Sequence, residues 1–301
     1  MWQYFLYFVS LFGLAQSANL VRLAEAPLEV LGFWRLLVSA LLFLPFALKN
    51  NFIQNFRSAP QTLNFSLTSG FFFFTHLWTF FYASQNTTIA NCMIIYSTNP
   101  LFTALGAWLF FNEKFTKRLA VAYILAFIGI YQLVSHNLDF DRGLVKGDFA
   151  ALISALLFTG YLLTGKKVRH TFSNSAFSTT IYFTAAMLFL FTGLTKGIDF
   201  IHYPTQTWLA IGGSILFPTL LGHALFMYLV RYMNINMMTC GKLIEPPISA
   251  VIAFLLFGEV LKDNTLLAFI LTSSAVLILF APEIYKHSKK TFFKDLDEGA
   301  S

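Results

Sequence analysis

The chain has 301 residues, of which 57% are hydrophobic and 18% aromatic, whereas only 11% are charged. Ordinary soluble domains contain roughly 25% charged residues, so this composition excludes a typical soluble domain and indicates a protein embedded in a lipid bilayer. The formal net charge is +6. Basic loops beside anionic lipid account for that excess, and we therefore predict membrane lipids and no nucleic acid among the partners.

Ten apolar stretches predict an all-α integral membrane protein with ten transmembrane helices. A helix needs about 20 apolar residues to cross a hydrocarbon core of roughly 30 Å, and several of the stretches lie at the short end of the usable range. In chain order, the predicted spans are 4–21, 30–48, 64–83, 89–111, 119–134, 148–165, 175–195, 207–230, 236–257 and 265–281.

The distribution of Lys and Arg predicts the orientation of these spans. Cytoplasmic loops carry an excess of basic residues. If both termini are cytoplasmic, 13 of the 20 basic residues lie inside and five outside, whereas Arg35 and Lys242 fall within spans. The predicted inside set is Lys49, Arg57, Lys114, Lys117, Arg118, Lys166, Lys167, Arg169, Arg231, Lys286, Lys289, Lys290 and Lys294, and the outside set is Arg22, Arg142, Lys146, Lys196 and Lys262.

The two halves of the chain repeat each other without a gap at a shift of 146 positions. The shift places Asn99-Pro100 on Glu245-Pro246, and it places Phe111-Asn112-Glu113 on Phe257-Gly258-Glu259. Each unit has five predicted helices. Because five is odd, the second unit must insert upside down relative to the first, which is the inverted-repeat architecture of secondary transporters. We therefore predict repeats at 1–146 and 147–285, followed by a polar cytoplasmic tail at 286–301.

The two repeated motifs resemble the signature of EamA-type members of the drug/metabolite transporter superfamily. Residues 100–113 and 245–259 each place a proline near the start of a helix, small and apolar residues after it, and a Glu at its end. Phe33-Trp34-Arg35 is similar to the arginine-bearing second helix of that family. Asn112 stands where the family has glycine, so we expect a looser helix end there. The resemblance implies ten helices around a central cavity, alternating access, and export of amino acids or other small metabolites.

Two ionisable residues near the middle of the ninth span form the principal candidate site. Lys242 and Glu245 share one helical face at positions i and i+3. A charge at that depth is costly unless it faces protein or water, which favours a functional role over simple bracing of the helix. Pro246 and Pro247 cannot donate backbone hydrogen bonds, so we expect the carbonyls of Lys242 and Leu243 to be freed beside the charges.

The repeat predicts partners for this pair. At the shift of 146, Lys242 corresponds to Tyr96 and Glu245 to Asn99, and an inverted twofold would bring the two pairs toward a common centre. Asn91 extends the same face of the fourth span, although an intramembrane Asn also serves as a hydrogen-bonding link between helices.

Five further polar residues within spans complete the candidate substrate-binding set. His76 and His223 can relay protons near neutral pH or hydrogen-bond neighbouring helices. Gln16 and Asn19 share a face of the first helix. Arg35 lies early in the second helix, where it can contact substrate or extend toward the membrane surface. We expect Glu113 and Glu259, at helix ends, to cap, to pair with Lys114 or Lys262, or to gate.

These observations favour a secondary active transporter without a metal or other cofactor, in the inner membrane of a bacterium. A cation beside an anion suits a zwitterionic metabolite, with Lys242 meeting the carboxylate and Glu245 the ammonium group. Alternatively, Glu245 carries a proton and couples export to the proton gradient. The other hypotheses are an exporter of cationic or lipophilic drugs and a channel or receptor without carrier activity. No nucleophile or metal motif is present in the sequence, so we predict that the protein is not an enzyme.

Overall fold

A computed structural model describes residues 2–50, 60–134, 145–169, 172–258, 266–267 and 269–279. Every regular element in these ranges is helical. The predicted tail 286–301, Glu259, Lys262, Arg57 and Arg142 lie outside the described residues. The helices are α1 (Trp2–Ala15), α2 (Ser17–Leu23), α3 (Leu28–Lys49), α4 (Pro60–Asn86), α5 (Ile89–Tyr96), α6 (Asn99–Phe111), α7 (Lys117–Val134), α8 (Val145–Arg169), α9 (Asn174–Thr195), α10 (Thr205–Ser214), α11 (Leu225–Leu229), α12 (Ile235–Gly241), α13 (Glu245–Phe257) and α14 (Phe269–Leu279).

Within the described ranges, seven segments are long and apolar enough to cross a membrane. They are Trp2–Leu23, Leu28–Lys49, Asn91–Phe111, Val145–Arg169, Asn174–Thr195, Thr205–Leu229 and Ile235–Phe257. The third, fifth and tenth predicted spans fall on α4, α7 and α14. Helix α4 is long but carries many hydroxyl and amide side chains, α7 begins with two basic residues, and of the tenth predicted span the structure describes only 266–267 and 269–279. The all-helical membrane class is therefore confirmed, and the number of crossings stays a prediction.

The helix boundaries follow the 146-residue repeat. Adding 146 to the limits of α3 gives those of α9, and adding 146 to the limits of α6 gives those of α13. The N-caps of α5 and α12 correspond in the same way, because Thr88 accepts from the amide of Asn91 and Asn234 accepts from the amide of Met237. The 146-residue shift therefore relates helix limits and N-cap hydrogen bonds as well as amino-acid identities.

Helices α6 and α13 end in the same conformation. Asn112 and Gly258 both adopt the left-handed region, with φ of 52° and 66°. Asparagine enters this region more readily than most residues other than glycine. The replacement at Asn112 therefore preserves the left-handed helix end that the glycine provides in the second repeat.

Residues 89–111 form the helices α5 and α6, and residues 235–257 form α12 and α13. These two interrupted segments cross so that the start of each lies near the end of the other. Helix α12 packs against α6, and α13 packs against α5. At one end of the crossing, Glu113 just after α6 accepts a hydrogen bond of 2.8 Å from Asn234, the N-cap of α12. At the other end, the Arg22 guanidinium lies 5.9 Å from the ring of Phe257 and donates to the Thr87 carbonyl just before α5. The breaks in both segments consequently lie near each other in the interior.

Candidate functional site

The second repeat is broken at the predicted pair of ionisable residues. Residues Lys242–Ile244 form a single 3₁₀ turn between α12 and α13, and Pro246 and Pro247 occupy the first turn of α13. Because prolines donate no backbone hydrogen bond, the regular α-helical ladder is interrupted here. The carbonyl of Lys242 accepts from the amide of Glu245. The expectation that this carbonyl would be free was therefore wrong, since the tighter turn supplies it with a donor.

The Lys242 ammonium group lies among aromatic rings. Its Nζ is 3.7 Å from the ring centroid of Phe158, 4.9 Å from that of Tyr96 and 5.8 Å from that of Phe226. It also donates a hydrogen bond of 3.2 Å to the Tyr96 hydroxyl. The Lys242 residue is only 5% exposed, so the aromatic faces and the phenol replace much of the water that a lysine normally holds.

Glu245 is the nearest described carboxylate to this ammonium. Its Oε1 lies 3.9 Å from Lys242 Nζ, which is an ion-pair contact longer than a hydrogen bond. Among the described residues, Oε1 has no hydrogen-bond partner although Glu245 is only 3% exposed. A buried carboxylate oxygen without a donor is costly. The arrangement therefore leaves an acceptor that a ligand or a proton can satisfy.

Two small cavities flank the pair. One is lined by polar groups from several helices, including Ser17, His76, His223, Tyr96, Lys242 and Glu245, and the other lies on the side of Asn99 and Pro100. Each has a volume of about 10 Å³, which is room for roughly one water molecule. The described conformation therefore closes the site to anything of metabolite size, and a carrier cycle requires the helices around it to separate.

The structure brings both predicted histidines to the first cavity. His76 Nδ1 lies 2.8 Å from the Ser154 hydroxyl, and its ring stacks on that of Tyr96 at 5.6 Å. The His223 ring lies 6.1 Å from the His76 ring. His223 belongs to the π-helical segment Ile215–Ala224, which contains Pro218, and such wide turns are frequent at functional sites. The two imidazoles thus form one wall of the cavity.

Arg35 lies behind Ser17 and is buried, at 1% exposed. Its Nε donates 2.6 Å to Thr219 Oγ1, its Nη1 lies 3.4 Å from Ser17 Oγ, and its guanidinium faces the Phe81 ring at 5.5 Å. Within the described part of the chain, Arg35 has no carboxylate partner and its Nη2 has no acceptor. It therefore extends inward rather than toward the membrane surface.

Of the four predicted amide side chains, one lines a cavity, two join neighbouring helices, and one bonds to the helix directly before it. Asn99 lines the second cavity and donates to the Ala155 carbonyl at 2.9 Å. Asn19 donates to both oxygens of Ser249, which ties α2 to α13. The remaining two contacts are those of Asn91 with Asp148 and of Gln16 with the Phe12 carbonyl. Gln16 interrupts the first span between α1 and α2, so it does not continue a regular face with Asn19.

Three residues of the site were not among the predicted ones. Phe158 and Phe226 face the ammonium, and Ser17 lies between the cavity and Arg35. The chain contains 37 phenylalanines, and most of them suit a lipid-facing position equally well. Sequence periodicity offered no signal that separates Phe158 from its neighbours.

A second polar cluster lies at the end of the crossing, away from the central pair. Glu113 forms an ion pair with Lys166 and accepts hydrogen bonds from Asn234 and Asn236 at 2.8 and 3.2 Å. The observed partner is thus Lys166, at the end of α8, rather than the adjacent Lys114 considered from the sequence. The cluster joins the ends of α6, α8 and α12.

Comparisons with known proteins agree with this architecture. The model of the EamA-like transporter family matches residues 1–135 and 145–281. An uncharacterized transporter of Haemophilus influenzae is 22% identical over 80% of this chain and 78% of its own length. An uncharacterized transporter of Clostridium kluyveri is 20% identical over 78% of this chain and 77% of its own. One crystal structure superposes with a TM-score of 0.75 at 12% identity, covering 91% of this chain and 94% of that one, which shows the shared fold alone. Because the family model covers both halves of the sequence, the chain belongs to the EamA-like transporter family.

Proposed function

We propose that the protein is a secondary carrier that exports amino acids or other small zwitterionic metabolites by alternating access. The observation that carries the proposal is the buried pair Lys242 and Glu245 at a break in a membrane-spanning segment, facing the repeat-equivalent Tyr96. Substrate sites of secondary transporters lie at such breaks, near the interface of two repeats. Family membership supports a transporter with a small-molecule substrate rather than an enzyme.

The proposed cycle rocks one five-helix repeat against the other. The exchanged ends of the two interrupted segments support an inverted twofold between the repeats and hence ten membrane crossings. The closed cavities suit an occluded state in such a cycle. In an open state, Lys242 would meet a substrate carboxylate and Glu245 its ammonium group.

The basic residues support both termini in the cytoplasm. Lys166, Lys167 and Arg169 end α8, and Lys117 and Arg118 begin α7. In the proposed topology, all five face the cytoplasm of a bacterial cell, where anionic lipid attracts them.

Counterflow in proteoliposomes tests this function. Vesicles are loaded with a mixture of amino acids and other small metabolites, and uptake of each labelled compound is followed for wild type, Glu245→Gln and Lys242→Met. Glu25→Gln and Lys114→Met are matched controls, because both residues are exposed. We expect saturable exchange of a defined compound class that both site variants reduce at least tenfold and both controls preserve.

The same assay separates the remaining hypotheses. Proton coupling through Glu245 predicts a pH-dependent wild type and a pH-independent Glu245→Gln. Flux that never saturates and lacks counterflow would identify a channel. The alternative of a drug exporter is favoured by the aromatic rings around Lys242 and predicts exchange of lipophilic cations but not of zwitterions. Unchanged rate, affinity and pH dependence in both site variants would refute the site assignment.

A further inference from the structure

The groups around the Lys242 ammonium together have the composition of an ammonium receptor. Phe158 comes from α8, Tyr96 from α5 and Phe226 from α11, so three separate helices each supply a ring. Glu245 adds a carboxylate at 3.9 Å. Proteins that recognise organic ammonium groups use such aromatic cages, because ring faces attract a cation and an acidic residue neutralises it.

The Lys242 ammonium leaves the Glu245 carboxylate of this cage without a complete set of hydrogen bonds. Its Nζ is beyond hydrogen-bonding distance of Glu245 Oε1, and that oxygen has no other donor among the described residues. A structural ion pair in a buried site is stable when both partners are hydrogen-bonded at short distance. The side chain also ends beside a cavity of about 10 Å³, so it fills the space without closing it completely.

We propose that Phe158, Tyr96, Phe226 and Glu245 form a binding site for an organic ammonium group, which the ammonium of Lys242 occupies when no substrate is bound. Once the helices around the site separate, the flexible lysine chain can leave the cage. An entering ammonium group takes its place, and the displaced Lys242 is then free to pair with an anionic group on the same ligand. This last step rests on the proposed function, whereas the cage itself does not.

This arrangement makes Lys242 a specificity-determining residue. A ligand with only a positive charge would place two ammonium groups beside the single carboxylate of Glu245, and the repulsion opposes binding. A zwitterion brings its own carboxylate for the displaced lysine. The wild-type cage therefore selects zwitterions against simple amines, and removal of the lysine reverses that selection.

The proposal is tested by truncating the Lys242 side chain and supplying the removed atoms as a free amine. Lys242→Ala removes three methylene groups and the ammonium, which together correspond to n-propylammonium. Binding to purified protein is measured by titration calorimetry and by the shift of the thermal unfolding midpoint, with n-propanol as the neutral probe of the same shape. We expect n-propylammonium to bind Lys242→Ala saturably, at least tenfold more tightly than wild type and at least tenfold more tightly than n-propanol.

Three variants assign the binding to the cage. In the Lys242→Ala background, Glu245→Gln should abolish the binding of n-propylammonium and Phe158→Leu should weaken it, whereas Lys114→Ala in an otherwise wild-type chain should gain none. If Lys242→Ala does not fold, Lys242→Val keeps more of the packing near the backbone and removes two methylene groups and the ammonium, which correspond to ethylammonium. This variant should bind ethylammonium more tightly than wild type does. Equal binding of n-propanol and n-propylammonium, or equal affinities in wild type and variant, would overturn the proposal.

The outcomes distinguish this inference from the carrier function. Amine binding by Lys242→Ala without counterflow by wild type would support the cage and refute the carrier. Counterflow by wild type with no amine binding by either folded lysine variant would refute the cage and leave the carrier supported.

Discussion

Lys242 donates a hydrogen bond of 3.2 Å to the hydroxyl of Tyr96, and the two residues are separated by 146 positions, the shift that superposes the two halves of the sequence. Atoms related by a twofold axis are equally distant from it. Two equivalent residues that contact each other therefore lie at the axis itself. This contact supports a pseudo-twofold through the central site, with a cation contributed by one repeat and a phenol by the other.

Tyr96→Phe removes the hydroxyl acceptor and keeps the ring. A hydrogen bond to a charged group is worth about 1.5 to 3 kcal/mol, so we expect transport to fall about tenfold or more. The measurement is the initial rate of counterflow for the substrate identified in the mixture assay. A double-mutant cycle with Lys242→Met should show that the two substitutions are not additive. Fully additive effects would show that the observed contact does not contribute to transport.

Removal of one partner of the Glu113–Lys166 ion pair should lower the stability of the protein more than removal of both partners. Both side chains are mostly buried, at 14% and 11% exposed. Glu113→Gln leaves Lys166 without its carboxylate, and we expect a loss of about 1 to 2 kcal/mol, lower than for a fully buried pair. The double variant Glu113→Gln with Lys166→Met should be more stable than Glu113→Gln alone in thermal unfolding, with Glu25→Gln as the exposed control. A double variant less stable than either single one would contradict this account.

Gly241, directly before the 3₁₀ turn, is required by close packing. A Cβ at this position would overlap the hydroxyl oxygen of Tyr7, which donates 2.6 Å to the Met238 carbonyl. We expect Gly241→Ala to cost about 1 to 3 kcal/mol through overpacking, measured by thermal unfolding.

Tyr7→Phe should partly restore the stability of Gly241→Ala, because it removes the atom that the methyl group meets. Gly212→Ala is the matched control. Gly212 also lies in a helix, but nothing is within 4 Å of its added Cβ, so alanine should be neutral or stabilising by up to about 1 kcal/mol. Equal destabilisation at both glycines would point to backbone conformation rather than to the Tyr7 contact.

Arg35 predicts a requirement for an anionic group in the substrate. Its guanidinium is buried and has no described carboxylate partner. If Arg35 shares the substrate carboxylate with Lys242, Arg35→Gln should raise the apparent KM for that substrate about 10- to 100-fold. Arg35→Lys should raise it less, and the exposed control Arg231→Gln should leave it unchanged. Equal KM values for wild type and Arg35→Gln would assign the arginine a structural role.

The sequence predicted the location of the central pair because a charged residue within a membrane span is costly unless it faces protein or water. Lys242 and Glu245 fall near the middle of an apolar segment, next to two prolines, and each of these facts can be read without coordinates. The aromatic partners could not be found in the same way. Phe158 belongs to α8 and Phe226 to α11, and only the packing of those helices places both rings around one ammonium group.

The polar contacts at the ends of helices also could not be predicted from the sequence. Glu113 has Lys114 as its neighbour in the chain, yet it pairs with Lys166 at the end of another helix. Asn91 and Asn19, predicted as site candidates, instead link helices through Asp148 and Ser249. A side chain within a span can face the interior or an adjacent helix, and periodicity within one helix does not distinguish these environments.

Sequence alone was enough to indicate the all-helical membrane class, the 146-residue shift that relates the two halves, and the places where proline interrupts a helix. Each of these depends on local chemistry: the length of apolar segments, the repeated motif, and the inability of Pro100, Pro246 and Pro247 to donate backbone hydrogen bonds. The groups that surround Lys242 could be identified only in the folded chain, because contacts between distant helices depend on how whole surfaces pack together. The chemistry of the site therefore depends on packing between helices that lie far apart in the sequence.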